Sequence, residues 1–324
     1  MIRTPICDLL EIEHPIALGG MGSIYAPDLV AAVSNAGGLG AMGCHGLGPD
    51  QIRAGVAAIR AKTDKPFALN FLIFDMREDS FAAALELCPR VMAFAWPRAD
   101  QDLKPILDRA HAAGCKITFM AGGVPEARRA VEAGADVIVA QGTEGGGHVS
   151  WQASMPLVPM IVDAVGSVPV LAAGGIADGR GLVAALALGA QGALLGTRFL
   201  ASDESPLHPN FKQAIVDADG HDTLLSELPD IAAGKVWPGA MSRSKRNGFI
   251  ERWAGQEWAL RQNQASALVR VQTARKNGDI HEAPLSMGQD AGLIHAVLPA
   301  AEIVMRIARE AETILAKTLP RFLR

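Results

Sequence analysis

His148 closes the stretch VIVAQGTEGGGHVS (137–150), in which four of the six residues 142–147 are glycine. An imidazole titrates near pH 6.5, so it can take up or release a proton at neutral pH. The preceding glycines let the chain bend close to a bound molecule and aim the ring at it. Most isolated histidines fill surface or core; this one follows an apolar run, Val137–Ala140, and a flexible turn. His45 also follows an apolar run, but in a looser loop. His14, His111, His208, His221, His281 and His295 lack the placement. Cys44 has no base beside it in sequence and reads as wall packing. Glu144 is suited to bonding loop amides.

Two further stretches suit anion binding. VLAAGGIADGRG (170–181) places Gly174 and Gly175 after an apolar run, with Gly179–Gly181 at the next helix start. GALLGTRF (192–199) places Gly196 and Thr197 after another. Glycine there lets backbone N–H groups approach a phosphate, and a helix N-terminus adds favourable potential. Either motif alone is a tight turn; together they point to phosphate. Asn70 and Gln141 end apolar runs as well and are candidate hydrogen-bond partners for a ring or a polar chain. ALGGM (17–21) offers the amides of Gly19, Gly20 and Met21 to a flat ring edge.

These residues need a scaffold that gathers them on one side. Short apolar runs alternate with amphipathic stretches of about a dozen residues. The expected strands are His14–Met21, Leu39–Cys44, Pro66–Ile73, Arg90–Trp96, Lys116–Gly122, Asp136–Gly142, Pro169–Gly175 and Gly192–Leu200. The helices often end in glycine followed at once by a strand, as in SNAGGLGAM, HAAGCKITF, VEAGADVIV and LALGAQGAL. Near-continuous apolar strands are covered on both faces, which marks a parallel sheet. Eight of them predict an α/β fold, a (β/α)8 TIM barrel, over a doubly wound open sheet. In such barrels the active site lies at the C-terminal strand ends, where every candidate above falls. From Ser205 to Ala283 no apolar strand run is found, so residues 205–283 are expected to form a helical lid after the eighth strand. Residues 1–204 and 284–324 then form the barrel, with Leu293–Thr318 as its final helix. Trp237, Phe249, Trp253 and Trp258 either line the lid or fill its core.

The 324 residues, 49% hydrophobic and 20% charged, supply a sizeable core. A net charge of −4 argues against nucleic acid as a partner. The basic run Arg243–Arg246 reads as a solvated helix end. Four scattered cysteines without a CxxC pair argue against metal and disulfide use. No leader-like or membrane-spanning stretch is read, so a cytoplasmic protein is expected. Apolar helix faces outside the barrel permit a homodimer.

HPIALGGM, NAGGLGAM, AQGTEGGGH, VLAAGGIADGRG, LLGTRFLASDES…HP and PLSMGQDAGLI occur in that order. This ordered set resembles the nitronate monooxygenases, over nearly the whole chain. The same superfamily includes flavin-dependent enoyl-acyl-carrier-protein reductases and some NADH:quinone reductases. The resemblance implies FMN in the barrel mouth. It implies phosphate contacts at Gly174, Gly175, Gly196 and Thr197. Contacts to the ring or its chain are implied at Gly19, Gly20, Met21, Asn70, Gln141, Gly146, Gly147 and Ser286. His148 matches the active-site histidine. The implied reaction is oxidation of a nitronate or nitroalkane by flavin and O2 to a carbonyl compound and nitrite. NAD(P)H-dependent reduction of quinones or enoyl thioesters is the alternative, and a non-flavin phosphate-ligand barrel a third. One position departs from the pattern: some relatives carry lysine at the end of strand five, where this chain has Met120.

Overall fold

The computed structural model describes residues 1–21 and 24–323. Its main sheet has eight parallel strands: β1 (Ile16–Leu18), β2 (Gly40–Gly43), β3 (Phe67–Leu72), β4 (Val91–Ala95), β5 (Lys116–Ala121), β6 (Val137–Gln141), β8 (Val170–Ala173) and β9 (Gly192–Leu195). They follow the order β1-β9-β8-β6-β5-β4-β3-β2, and an Ala17–Leu39 bridge closes β1 on β2. This is the expected (β/α)8 barrel, with helices between successive strands.

Alternation along each strand sorts the core. In β3, Phe67, Leu69 and Phe71 point out to the helices, while Ala68 and Asn70 point in. The interior is lined by small or branched residues, Ala17, Ala41, Ala68, Val137, Val139 and Leu171. Ile6, Cys7 and Leu10 of the N-terminal helix Pro5–Leu10 join the same interior cluster. Thr4 anchors that helix by donating to the Gln191 carbonyl, just before β9. The N-terminal end of the barrel is thereby plugged, which leaves the C-terminal ends for a ligand. The last long helix, Ala300–Thr313, packs on helices Gly179–Ala187 and Pro27–Asn35 and closes the outer ring.

The eighth barrel strand is shorter than the expected Gly192–Leu200. It stops at Leu195, and Thr197–Leu200 form a short, fully buried helix. Hydrophobicity alone does not separate a buried strand from a buried helical turn. A larger difference lies in residues 205–283, where only helices were expected. Strands β10 (Thr223–Ser226) and β11 (Met241–Lys245) pair antiparallel with each other, and β11 pairs with β7 (Gly147–Val149). Neither β10 (TLLS) nor β11 (MSRSK) carries the apolar run that marks a barrel strand. The helical stretch RNGFIERWAGQEWALRQN is split at Gly255, which takes a left-handed φ of 75° between the helices Gly248–Trp253 and Glu257–Gln262. The Arg243–Arg246 run is likewise no solvated helix end. Arg243 lies buried in β11, donates to the Thr143 carbonyl and Thr223 hydroxyl, and has its pKa lowered by that burial. Among the described residues, no helix is long and apolar enough to cross a membrane.

Candidate active site

β7 decides where His148 goes. Its three residues lie in the glycine loop after β6, and their pairing with β11 sets His148 opposite Ser242. Gly147 has φ 74°, a left-handed value open to glycine at little cost. At Gly146 a Cβ would lie 2.5 Å from the Met287 carbonyl carbon and 2.6 Å from the Gly288 nitrogen, both backbone atoms that cannot step aside. The loop therefore passes directly against the returning segment 286–288, where exposed Ser286 bridges to Ser244.

The ring of His148 is held on two sides. Its Nε2 lies 2.9 Å from Asp230 Oδ1, and Asp230 is buried on the helix Leu228–Ala233. An ionised carboxylate accepts only, so in the neutral ring Nε2 carries the proton and Nδ1 keeps the lone pair. Trp237 stacks flat on the imidazole, with centroids 3.3 Å apart and planes 11° apart. Trp237 also meets Phe74 and Trp96 beyond the ends of β3 and β4, and this aromatic group packs on Met120. Phe249 instead lies in the core of the 205–283 region with Leu228 and Ile250, Trp253 packs against that core, and Trp258 is exposed.

At the barrel mouth the expected ring contacts present unpaired acceptors. Asn70 Oδ1 and Gln141 Oε1 are both buried without a partner. Asn70 spends its amide N–H on the Ala93 carbonyl. Gly20 lies edge-on to Asn70, where a Cβ would come within 2.4 Å of the Asn70 Cβ. A cavity inside the strand ends is lined by Gly20, Asn70, Thr118 and Met120 among others. Met120 does occupy the strand-five end, so no lysine ammonium stands there. Gly19 is less available than its neighbours, because its N–H donates to the Leu195 carbonyl. Met21 is half-buried and packs on the outer core.

Of the two stretches expected to bind an anion, only part has free backbone. Gly174 and Gly175 have φ of 92° and 75°, and Ser154 fixes the turn by donating to the Gly174 carbonyl. Gly196 faces open space where a Cβ would project, which leaves its backbone approachable. The helix start at Gly179–Gly181, however, is already satisfied. Glu310 accepts from Gly179, and Asp178 accepts from Arg180 and Gly181. Two carboxylates there take the N–H groups an anion would need and repel it. Glu144 bonds loop amides as expected: both of its oxygens accept from the Ser154 N–H. The Cys44 thiol is pushed up to about 12 by burial, which removes it as a nucleophile at neutral pH.

Asp290, absent from the sequence reading, lies behind Thr197. Burial pushes its carboxyl up to about 7, against the hydrogen bond from Thr197 and the charge of Arg198. Its Oδ1 has no partner. A pKa raised above the unfolded value of about 3.9 means the fold holds a proton that the unfolded chain releases. Stability from this group is full below about pH 4 and falls as pH rises toward about 7, by up to ~4 kcal/mol. Urea unfolding at pH 4.5 and 7.5 checks it: Asp290→Asn should flatten that fall, and an unchanged slope would refute it.

The chemistry of the donor set fits the flavin that the resemblance implies: amide acceptors for ring N–H groups, a glycine-flanked floor, and open backbone near Gly196. Comparison with known proteins agrees. The profile described as nitronate monooxygenase matches residues 3–95 and 83–310. A probable nitronate monooxygenase of Staphylococcus saprophyticus is 30% identical over 97% of this chain and 99% of its own. A (3aS,4S,5R,7aS)-5-hydroxy-7a-methyl-1-oxo-octahydro-1H-indene-4-carboxyl-CoA dehydrogenase of Mycobacterium tuberculosis is 37% identical over 71% of this chain, and the match spans 64% of that relative's length. Among solved structures, FabK from Thermotoga maritima superposes with a TM-score of 0.88 at 35% identity, over 99% of this chain and 100% of that one. Nitroalkane oxidase from Streptomyces ansochromogenes gives 0.81 at 26% identity, over 96% and 99%. With the profile spanning nearly all of the barrel and its site, the chain belongs to the nitronate monooxygenase family.

Proposed function

We propose that this protein oxidises alkyl nitronates, and the nitroalkanes that ionise to them, using FMN and O2, with a carbonyl compound and nitrite as products. The observation that carries the reading is the Asp230–His148 pair, a base oriented by a carboxylate on the active face of the barrel. Family membership and the likeness to nitroalkane oxidase support it. FMN, when bound, supplies the electron acceptance and the reaction with O2.

The chain's own residues do the rest. Asn70 and Gln141 would accept hydrogen bonds from the ring, and the backbone at Gly174, Gly175, Gly196 and Thr197 would hold the phosphate. Gly20, Gly146, Gly147 and Ser286 border the same face. His148 removes the α-proton of a neutral nitroalkane through Nδ1, while Asp230 holds Nε2–H and balances the imidazolium that forms. With a nitronate already ionised, the ring donates to a nitronate oxygen only as the imidazolium, from a protonated Nδ1, while Asp230 holds Nε2–H and balances the charge. Trp237, Phe74 and Trp96 wall the pocket and keep water from the reacting carbon.

The reductase reading keeps one specific support, Met120 in place of a lysine, together with the likeness to FabK. Oxygen uptake separates the two. The FMN-loaded protein mixed with ethylnitronate in air should consume O2 and release nitrite without NADH or NADPH. Dependence of all turnover on NAD(P)H would sink the proposal.

A further inference from the structure

Two N–H donors beside His148 are buried with nothing to donate to. One is Trp237 Nε1, which has no partner although its indole is stacked on His148 and packed on Met120. The other is His45 Nδ1. The His45 side chain is only 7% exposed, and its tautomer follows from its neighbour. Lys235 Nζ stands 2.5 Å from His45 Nε2. An ammonium only donates, so Nε2 accepts and the neutral ring carries its proton on Nδ1. Burial, the Lys235 charge and His148 all favour the neutral ring, against Asp75 at 3.7 Å.

Both donors belong to one aromatic group. The His45 and Trp237 centroids are 6.3 Å apart, and Phe74 lies against both rings. A buried donor left unmatched is costly, and a native fold rarely keeps two of them together without a use. Their surroundings are apolar apart from Lys235 and Asp75, which pair with each other at 3.8 Å, so the two unmatched N–H groups themselves favour a guest with acceptor oxygens. Such a site rejects molecules that lack acceptor oxygens, because the donors would stay unmatched.

We propose that Trp237 Nε1–H and His45 Nδ1–H are the specificity pair for the substrate, binding the oxygen atoms of a planar two-oxygen anion such as a nitronate or a carboxylate beside His148. This rests on the reading above that the substrate lies next to His148.

The probe is 2-methylpropanoate, a planar carboxylate that cannot be oxidised as a nitronate is. It is titrated into FMN-loaded protein carrying 15N-tryptophan. The Trp237 indole signal, identified by its loss in Trp237→Phe, should move downfield as the carboxylate binds. Trp237→Phe keeps an aromatic ring for the stack and removes the N–H together with the pyrrole ring. That variant and His45→Phe should each weaken carboxylate binding about tenfold, with FMN content unchanged. An unmoved indole signal, or affinity unchanged in both variants, overturns the assignment. Nitronate turnover is scored separately on the unaltered chain. Its failure with carboxylate binding intact would refute the proposed reaction and leave the donor pair standing.

Discussion

His148→Asn should lower kcat/KM on a neutral nitroalkane by about 10²–10⁴ while leaving FMN binding intact. Asparagine can still donate a hydrogen bond but cannot accept a proton at neutral pH. The loss should therefore be much smaller on the preformed nitronate, about tenfold, where only the contact to oxygen is weakened. The split between the two substrates is the diagnostic feature. His148 lies on β7 and touches Asp230 and Trp237, so Asn70, Gln141 and Gly196, the groups proposed to hold the flavin, should be undisturbed. Steady-state kinetics on nitroethane and ethylnitronate, beside a flavin absorbance titration, check it. Equal losses on both substrates would mean that His148 does not take the α-proton.

Asp230→Asn should cost about 10–100-fold on nitroethane, less than removing the base itself. Asp230 and His148 are 82 positions apart, and both are largely buried, at 12% and 19% side-chain exposure. A carboxylate accepts from Nε2–H and leaves Nδ1 as the base. An asparagine can instead present its NH2 to the ring, which favours the opposite tautomer and blocks Nδ1. The carboxylate also balances the imidazolium formed when the proton arrives, which a neutral amide does not. Asp230→Asn combined with His148→Asn should be no worse than His148→Asn alone, because Asp230 acts through the ring. Additive losses in that cycle would give Asp230 a separate role.

Much of the barrel was legible in the sequence because parallel strands buried on both faces leave unbroken apolar runs, several of them introduced by a glycine at a helix end, as at Gly114, Gly134 and Gly189. His148, Asn70, Gln141 and the Gly174–Gly175 turn were legible for the same reason: their strands place them at one end. Asp230, His45's role and Asp290 were not. The Asp230–His148 contact spans 82 positions and depends on β11 pairing with β7, two short strands with polar or glycine residues and no apolar run. Local periodicity carries no trace of such a pairing. Gly179–Gly181 misled for a different reason: its N–H groups were expected to face an anion, and carboxylates from Asp178 and the distant Glu310 had already taken them. Arg243 was misread because a basic run is usually solvated, whereas here one of its members is drawn inward to the Thr143 carbonyl.

The insertion after β9 therefore does more than cover the barrel. It contributes Asp230, Lys235 and Trp237, all within the ten residues from the helix Leu228–Ala233 to the approach of β11. The barrel supplies the strand ends and the His148 loop, and the insertion supplies the carboxylate that fixes the His148 proton and the tryptophan stacked on its ring.

Anaerobic stopped-flow mixing of the FMN-loaded protein with ethylnitronate tests the central claim most directly. Oxidised-flavin absorbance should fall rapidly with the nitronate alone, fast enough to support turnover, and change little with NADH or NADPH over the same time. Flavin that stays oxidised with nitronate but bleaches rapidly with NADH or NADPH would contradict it and assign the chain to the reductases.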